Sequence, residues 1–209
     1  NEKEMRDKLL EYKLNYTLDK IPNKITKNEK IIYQLLDQTF NDKNSSTDRE
    51  AITTILSDRK PSTTKHGYDA DGENVEVKPK NYCGTTKLNG GGSFSDLTWK
   101  RFDNYKKDNP ILLNSGFYEG KIVFILEIPF NHPPLLKRFE EQLIKDLPNG
   151  DIKKHYSRSV SYNYSHYKDA DIKINFITDN LKLYKDAFPK KLNLYEFLEK
   201  NLKKALTSI

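Results

Sequence analysis

Apolar residues recur along the chain at two periods, and the switches between them predict its elements. Met5, Leu9, Tyr12 and Tyr16 repeat at helical spacing among charges over residues 1–19, predicting a surface helix that Ile21-Pro22-Asn23 ends. From about Asn28 a second helix carries Ile31, Ile32, Leu35, Leu36 and Phe40 as a core stripe. After the polar loop 41–46, Thr47-Asp48-Arg49-Glu50 has the form of a capping box opening a third helix through Ile52, Ile55 and Leu56. Further helices are predicted over 95–107 (Leu97, Phe102, Tyr105 inward), 133–147 (Leu135, Leu136, Phe139, Leu143, Ile144) and 192–206 (Leu194, Phe197, Leu198, Leu202, Leu206). Asn109-Pro110 closes the first of these three. Residues 120–129 are the most apolar run and read as a central strand buried on both faces. Ile172, Ile174 and Phe176 alternate in another strand over 171–178. The expected fold is a single α/β domain over residues 1–209, a mixed central sheet flanked by helices.

Residues 67–80 read as a β-hairpin. Val75 and Val77 alternate with Glu76 and Lys78, and Gly72-Glu73 can serve as a two-residue turn. That register sets Ala70 opposite Val75 and Asp69 opposite Glu76. A loop at Glu73-Asn74 sets Asp71 opposite Glu76 instead. Like charges paired about 5 Å apart are destabilising, and a divalent cation between them would offset the cost. Two carboxylates and a lysine on one rim suit phosphodiester chemistry. Carboxylates hold Mg²⁺ while it keeps waters, and the lysine can hold or deprotonate the attacking water.

These residues carry a resemblance. Asp69…Glu76-Val77-Lys78 is similar to the Asp…(Asp/Glu)-x-Lys core of the PD-(D/E)XK nuclease superfamily, and the wider layout resembles the type II restriction endonucleases. The resemblance covers roughly residues 50–130 and is architectural elsewhere. It implies a restriction-endonuclease-like sheet, with Asp69 and Glu76 as metal ligands and Lys78 as the catalytic lysine. It further implies a sequence-specific, Mg²⁺-dependent endonuclease acting on double-stranded DNA, in which Ca²⁺ fills the ligands without supporting cleavage. Tyr68 stands where the family places proline, and the gap from Asp69 to Glu76 is short, so Asp69 and Asp71 both remain open as first ligand. Glu50, on the third helix, is an additional acidic candidate. Asp58 is a rival through its longer gap to Glu76, and Glu127, costly on a buried strand unless paired, is a secondary candidate.

Composition agrees with a polyanion partner. The chain has 36 Lys and Arg against 30 Asp and Glu, a net charge of +6. A single cysteine, Cys83, excludes an internal disulfide and a multi-cysteine zinc site, which fits the cytoplasm. No apolar run is long enough for a membrane span, and no signal-peptide core opens the sequence, so no membrane partner is expected. A homodimer is expected, because a two-fold protein matches a palindromic site.

Two segments are candidate DNA contacts. The glycine-rich loop 81–92 lacks the Gly-Lys-Ser/Thr ending of a nucleotide-binding loop, and with its flanks it offers Lys80, Asn81, Ser93 and Ser95 to phosphates. Residues 153–168 contain no acid and interleave bases, hydroxyls and aromatics, offering Lys153, Lys154, Arg158, Tyr162, Asn163 and Tyr164. Arg158 suits guanine edges and Asn163 adenine edges. His155 and His166 have no carboxylate cluster nearby and predict no metal. Two other functions fit the same residues: a structure-selective repair or junction nuclease, and a non-catalytic DNA-binding domain.

Overall fold

The structure, a computed structural model, describes residues 1–64 and 67–207. Side chains at 205–207 lie outside that description, including the inward placement expected of Leu206. In chain order the elements are α1 (Glu2–Thr17), α2 (Lys27–Phe40), α3 (Thr47–Leu56), β1 (Val75–Tyr82), β2 (Gly92–Leu97), α4 (Trp99–Asp108), β3 (Ile111–Tyr118), β4 (Lys121–Pro129), α5 (Pro133–Asp146), β5 (Ser157–Tyr162), β6 (Lys173–Ile177) and α6 (Leu194–Thr207). Short 3-10 helices occupy Tyr164–His166 and Leu181–Ala187.

The fold is mixed α/β, as expected. Four strands run in the order β1-β3-β4-β6, with β1 parallel to β3 and the other pairs antiparallel. β2 and β5 form a separate antiparallel ribbon. One apolar cluster joins Val75, Val77, Leu113 and Ile125 to Tyr16, Phe40 and Ile52 of α1, α2 and α3. The other joins Leu112, Phe124, Leu126 and Ile128 to the ribbon and to α4, α5 and α6. β4 contributes to both clusters, so it is the central strand that its unbroken apolar run predicts. It follows β3 through Glu119-Gly120, whose φ values of 48° and 81° match a two-residue hairpin turn. A Cβ on Gly120 would lie 2.5 Å from Tyr16 Oη, so α1 packs on this turn only because the residue is glycine.

Several expectations are corrected. The hairpin over 67–80 does not form. Residues 69–71 turn back on 60–62, with Ser62 N–H donating to Asp69 O, Asp71 N–H donating to Lys60 O, and Ala70 bridging Pro61. β1 pairs instead with β3, where Val75 and Val77 meet Ile111 and Leu113. Residues 95–97 belong to β2, and α4 starts later under a cap from Thr98 Oγ1. β3 itself was not predicted. The capping box at Thr47 is absent: Ser46 precedes α3, and Glu50 is released for another role. Ile31, Leu35 and Ile144, expected inward, are exposed, because α2 and α5 each bury only part of their apolar surface, and Met5 and Leu9 are exposed on α1.

Candidate active site

Alternation along β1 sends Val75 and Val77 toward α1–α3 and turns Glu76 and Lys78 toward the ribbon. There Lys78 Nζ lies 3.5 Å from Glu76 Oε2, with only 18% and 14% of these side chains exposed. The same ammonium is 4.0 Å from the centre of the Phe94 ring on β2. Gly92 permits this approach, since a Cβ there would stand 2.4 Å from Tyr162 Oη and 3.1 Å from Lys78 Cβ. In the glycine triplet, Gly92 is therefore packed against the lysine, while Gly90 and Gly91 pack against Tyr167 and Asn89. Beneath it, Asn114, paired with Lys78 in the sheet, donates to Gly90 O at 2.7 Å and accepts from Tyr162 Oη at 2.5 Å.

Two more carboxylates reach this face from outside the strand. Asp69 Oδ2 accepts from Val77 N–H at 2.7 Å, which holds the carboxylate along the open side of β1. Glu50 arrives from α3, which is tied to β3 by Thr53 Oγ1 and Ser115 Oγ at 2.7 Å. Burial raises the Glu50 pKa, Asp69 and Glu76 raise it further, and Lys78 partly opposes them. Burial likewise raises Glu76, with Lys78 opposing and Asp69 adding to the rise. Three acids and Lys78 thus share one electrostatic environment, with Arg49 acting on Glu50 and Arg101 on Glu76.

Three clefts follow the open side of β1 and share lining residues. One of 310 Å³ lies between Glu50 and Asp69, with Thr47, Thr54 and Ser62. The next, 290 Å³, runs from Glu50 over Lys78 and Lys80 to Gly92 and Ser93. The third, 510 Å³, shares Pro79 and Lys80 with it and adds Lys43, Arg49 and Asn81. Clefts of 560 and 640 Å³ elsewhere contain none of Glu50, Asp69, Glu76 or Lys78. Lys80 has no acidic partner among the described residues, and desolvation pushes its pKa down.

The other predicted residues fall in different places. Asp71 is exposed and 3.9 Å from Lys60 Nζ, so Asp69 is the aspartate beside Glu76 and Glu50. Asp58 is exposed beyond α3. Glu127 is bound to Arg59 Nη1 at 2.6 Å and to Asn175 Nδ2 at 2.9 Å, a structural pair apart from the cleft. Asn81 is occupied in joining Asn41 to Gly120, its Nδ2 donating to Asn41 Oδ1 at 2.9 Å and its Oδ1 accepting from Gly120 N–H at 2.9 Å. Tyr162 and Tyr164 are buried, and Asn163 caps the turn that follows it, accepting from Ser165 N–H. Ser93, Ser95, Lys153, Lys154 and Arg158 are exposed. Sequence reasoning missed Phe94, whose place over Lys78 depends on the ribbon, and Arg101, which grips Ser95 O and Asp96 O and from α4 slightly opposes the rise in the Glu76 pKa.

All the acidic donors are hard oxygens, and partial burial disfavours the charge on two of them, Glu50 and Glu76. That chemistry fits a Mg²⁺ held by one or two carboxylates and its own waters. It does not provide a complete protein cage: among the described residues, no three His, Cys, Asp or Glu side chains close into a ligand set. Also among the described residues, no helix is long and apolar enough to cross a membrane. No protein-family model matches the chain, and no curated protein matches it.

Proposed function

We propose that the protein is a Mg²⁺-dependent endonuclease cleaving double-stranded DNA at specific sequences, with a restriction-endonuclease-like core and action as a homodimer. The observation that carries this reading is the Glu76–Lys78 pair on β1, 3.5 Å apart, beside two adjoining clefts, one lined by Glu50 and Asp69 and the next by Glu50, Lys78 and Lys80. Asp69 and Glu76 would hold the cation, which supplies Lewis acidity and a more acidic bound water. Lys78 orients the attacking water and faces the charge that develops on the phosphate. Glu50 completes the acidic side of the trough. Phe94 and Tyr162 wall the lysine from the ribbon side.

Plasmid incubated with the protein in Mg²⁺ tests the reading, with EDTA as control. Discrete fragments in Mg²⁺ alone are expected. Cutting confined to branched DNA would indicate a junction nuclease on the same core. Binding without any cutting would leave a non-catalytic DNA-binding domain.

A further inference from the structure

The ribbon turns an unusual surface outward. Ser93 pairs with Ser161 and Ser95 with Ser159, and all four serines are exposed. The inward residues Phe94, Val160 and Tyr162 belong to the core. Nearly a third of this chain is charged, at 32%, yet this face is a two-by-two array of small neutral hydroxyls. The array starts at the candidate catalytic groups, because Ser93 lines the cleft shared by Lys78 and Glu50. Beside it Arg158 is exposed, with no ion pair or hydrogen bond among the described residues.

Short side chains let a ribbon backbone come close to a ligand, and a hydroxyl can both donate and accept. The major groove admits a two-stranded ribbon, and serine can bond to either kind of base-edge group there. A surface built to grip the phosphate backbone would carry Lys and Arg instead. On this chain Lys80 lines the cleft with Ser93, Arg158 precedes Ser159 on β5, and Lys153 and Lys154 are exposed in the turn before that strand.

Resting on the nuclease reading, we propose that the serine face of the β2–β5 ribbon is the sequence-reading surface, entering the major groove of duplex DNA next to the scissile phosphate. Arg158 lies at the groove margin. Asn163, Tyr162 and Tyr164 support the ribbon from within and do not touch bases.

The test compares wild type with the quadruple variant Ser93→Ala, Ser95→Ala, Ser159→Ala, Ser161→Ala. All four sites are exposed, so both proteins should melt alike. A pool of randomised duplexes is cut in Mg²⁺ and the new ends are sequenced. Wild-type ends should share one sequence, and the variant should lose at least about tenfold of that preference, the scale of one lost base contact. Its affinity for a mixed-sequence duplex in Ca²⁺, and the salt slope of that affinity, should stay as in wild type, since no charge is removed. A variant with the wild-type sequence preference would overturn the ribbon as reader and leave the nuclease reading intact. Equal weakening on every sequence would also overturn it, assigning the face to backbone contact. A wild type that cuts nothing would remove the nuclease reading and the ribbon proposal together.

Discussion

The Lys78 ammonium stands 4.0 Å from the centre of the Phe94 ring, so a group from the ribbon holds the lysine of the main sheet. A cation over an aromatic face gains about 0.5–2 kcal/mol, more as water is excluded. Phe94→Leu removes the ring but keeps an apolar side chain. Plasmid cleavage should slow about tenfold, equivalent to ~1.4 kcal/mol, at a temperature where the variant remains folded. An unchanged rate would mean that the ring only fills space.

Lys78→Ala and Glu76→Ala should lower cleavage by at least about 10²-fold, as loss of a preorganised charge does elsewhere, while duplex binding persists. Asp69→Asn should behave alike, and Asp71→Asn should cut normally, because only Asp69 lies beside Glu76. Rates from a time course of supercoiled-plasmid loss decide between the two aspartates.

Burial, with Asp69 adding to it against the pull of Lys78, makes the Glu76 charge a stability cost without a cation. Glu76→Gln should raise the melting temperature in EDTA or leave it unchanged, although it abolishes cutting. Mg²⁺ or Ca²⁺ should raise the wild-type melting temperature by mass action, and the variant's much less. Identical responses to metal, with and without a bound duplex, would identify these carboxylates as ordinary surface charges.

Glu127 has the opposite balance. Burial raises its pKa, but hydrogen bonds from Asn175 and Arg59 outweigh that and hold it below the ordinary 4.5. A carboxyl lowered on folding stabilises the protein above its unfolded pKa and loses that contribution as pH falls through the folded one. Glu127→Gln should therefore cost about 1–3 kcal/mol at pH 7, the scale of a hydrogen bond to a charged group. The gap from wild type should narrow in denaturant melts below about pH 4.5. A gap independent of pH would show that shape, not charge, matters there.

The sequence was legible where structure depends on near neighbours. α2, α5, β4 and β6 follow from periodicity, and so does the shared face of Glu76 and Lys78. β3 was hidden because Asn114, Ser115 and Gly116 interrupt its apolar run. Those polar groups are satisfied by distant partners, Gly90 O and Thr53 Oγ1, that no local pattern announces. The hairpin failed for the same reason: its alternation was real, but β1 found a better apolar partner in Ile111 and Leu113 than in residues 69–71. Glu50 was a candidate from resemblance alone, and its position depends on α3 docking onto β3 through Thr53.

The bond from Val77 N–H to Asp69 has a consequence for solubility. A strand at the margin of a sheet presents unpaired donors and acceptors on which another chain can build. On the first half of β1 several are closed: Val75 N–H donates to Glu73 O, Val75 O accepts from Asp69 N–H, Val77 N–H donates to Asp69 Oδ2, and Pro79 has no N–H to offer. Only Asp69 Oδ2 is used in that bond, so on the nuclease reading a cation taken by Oδ1 would leave the margin closed. Asp69→Ala removes the side-chain cap and leaves a bare amide in the middle of the trough, whereas Asp69→Asn keeps an oxygen there. The alanine variant is the one that should self-associate on size-exclusion chromatography, because the carboxylate proposed as a metal ligand also covers a strand amide against strand-to-strand pairing.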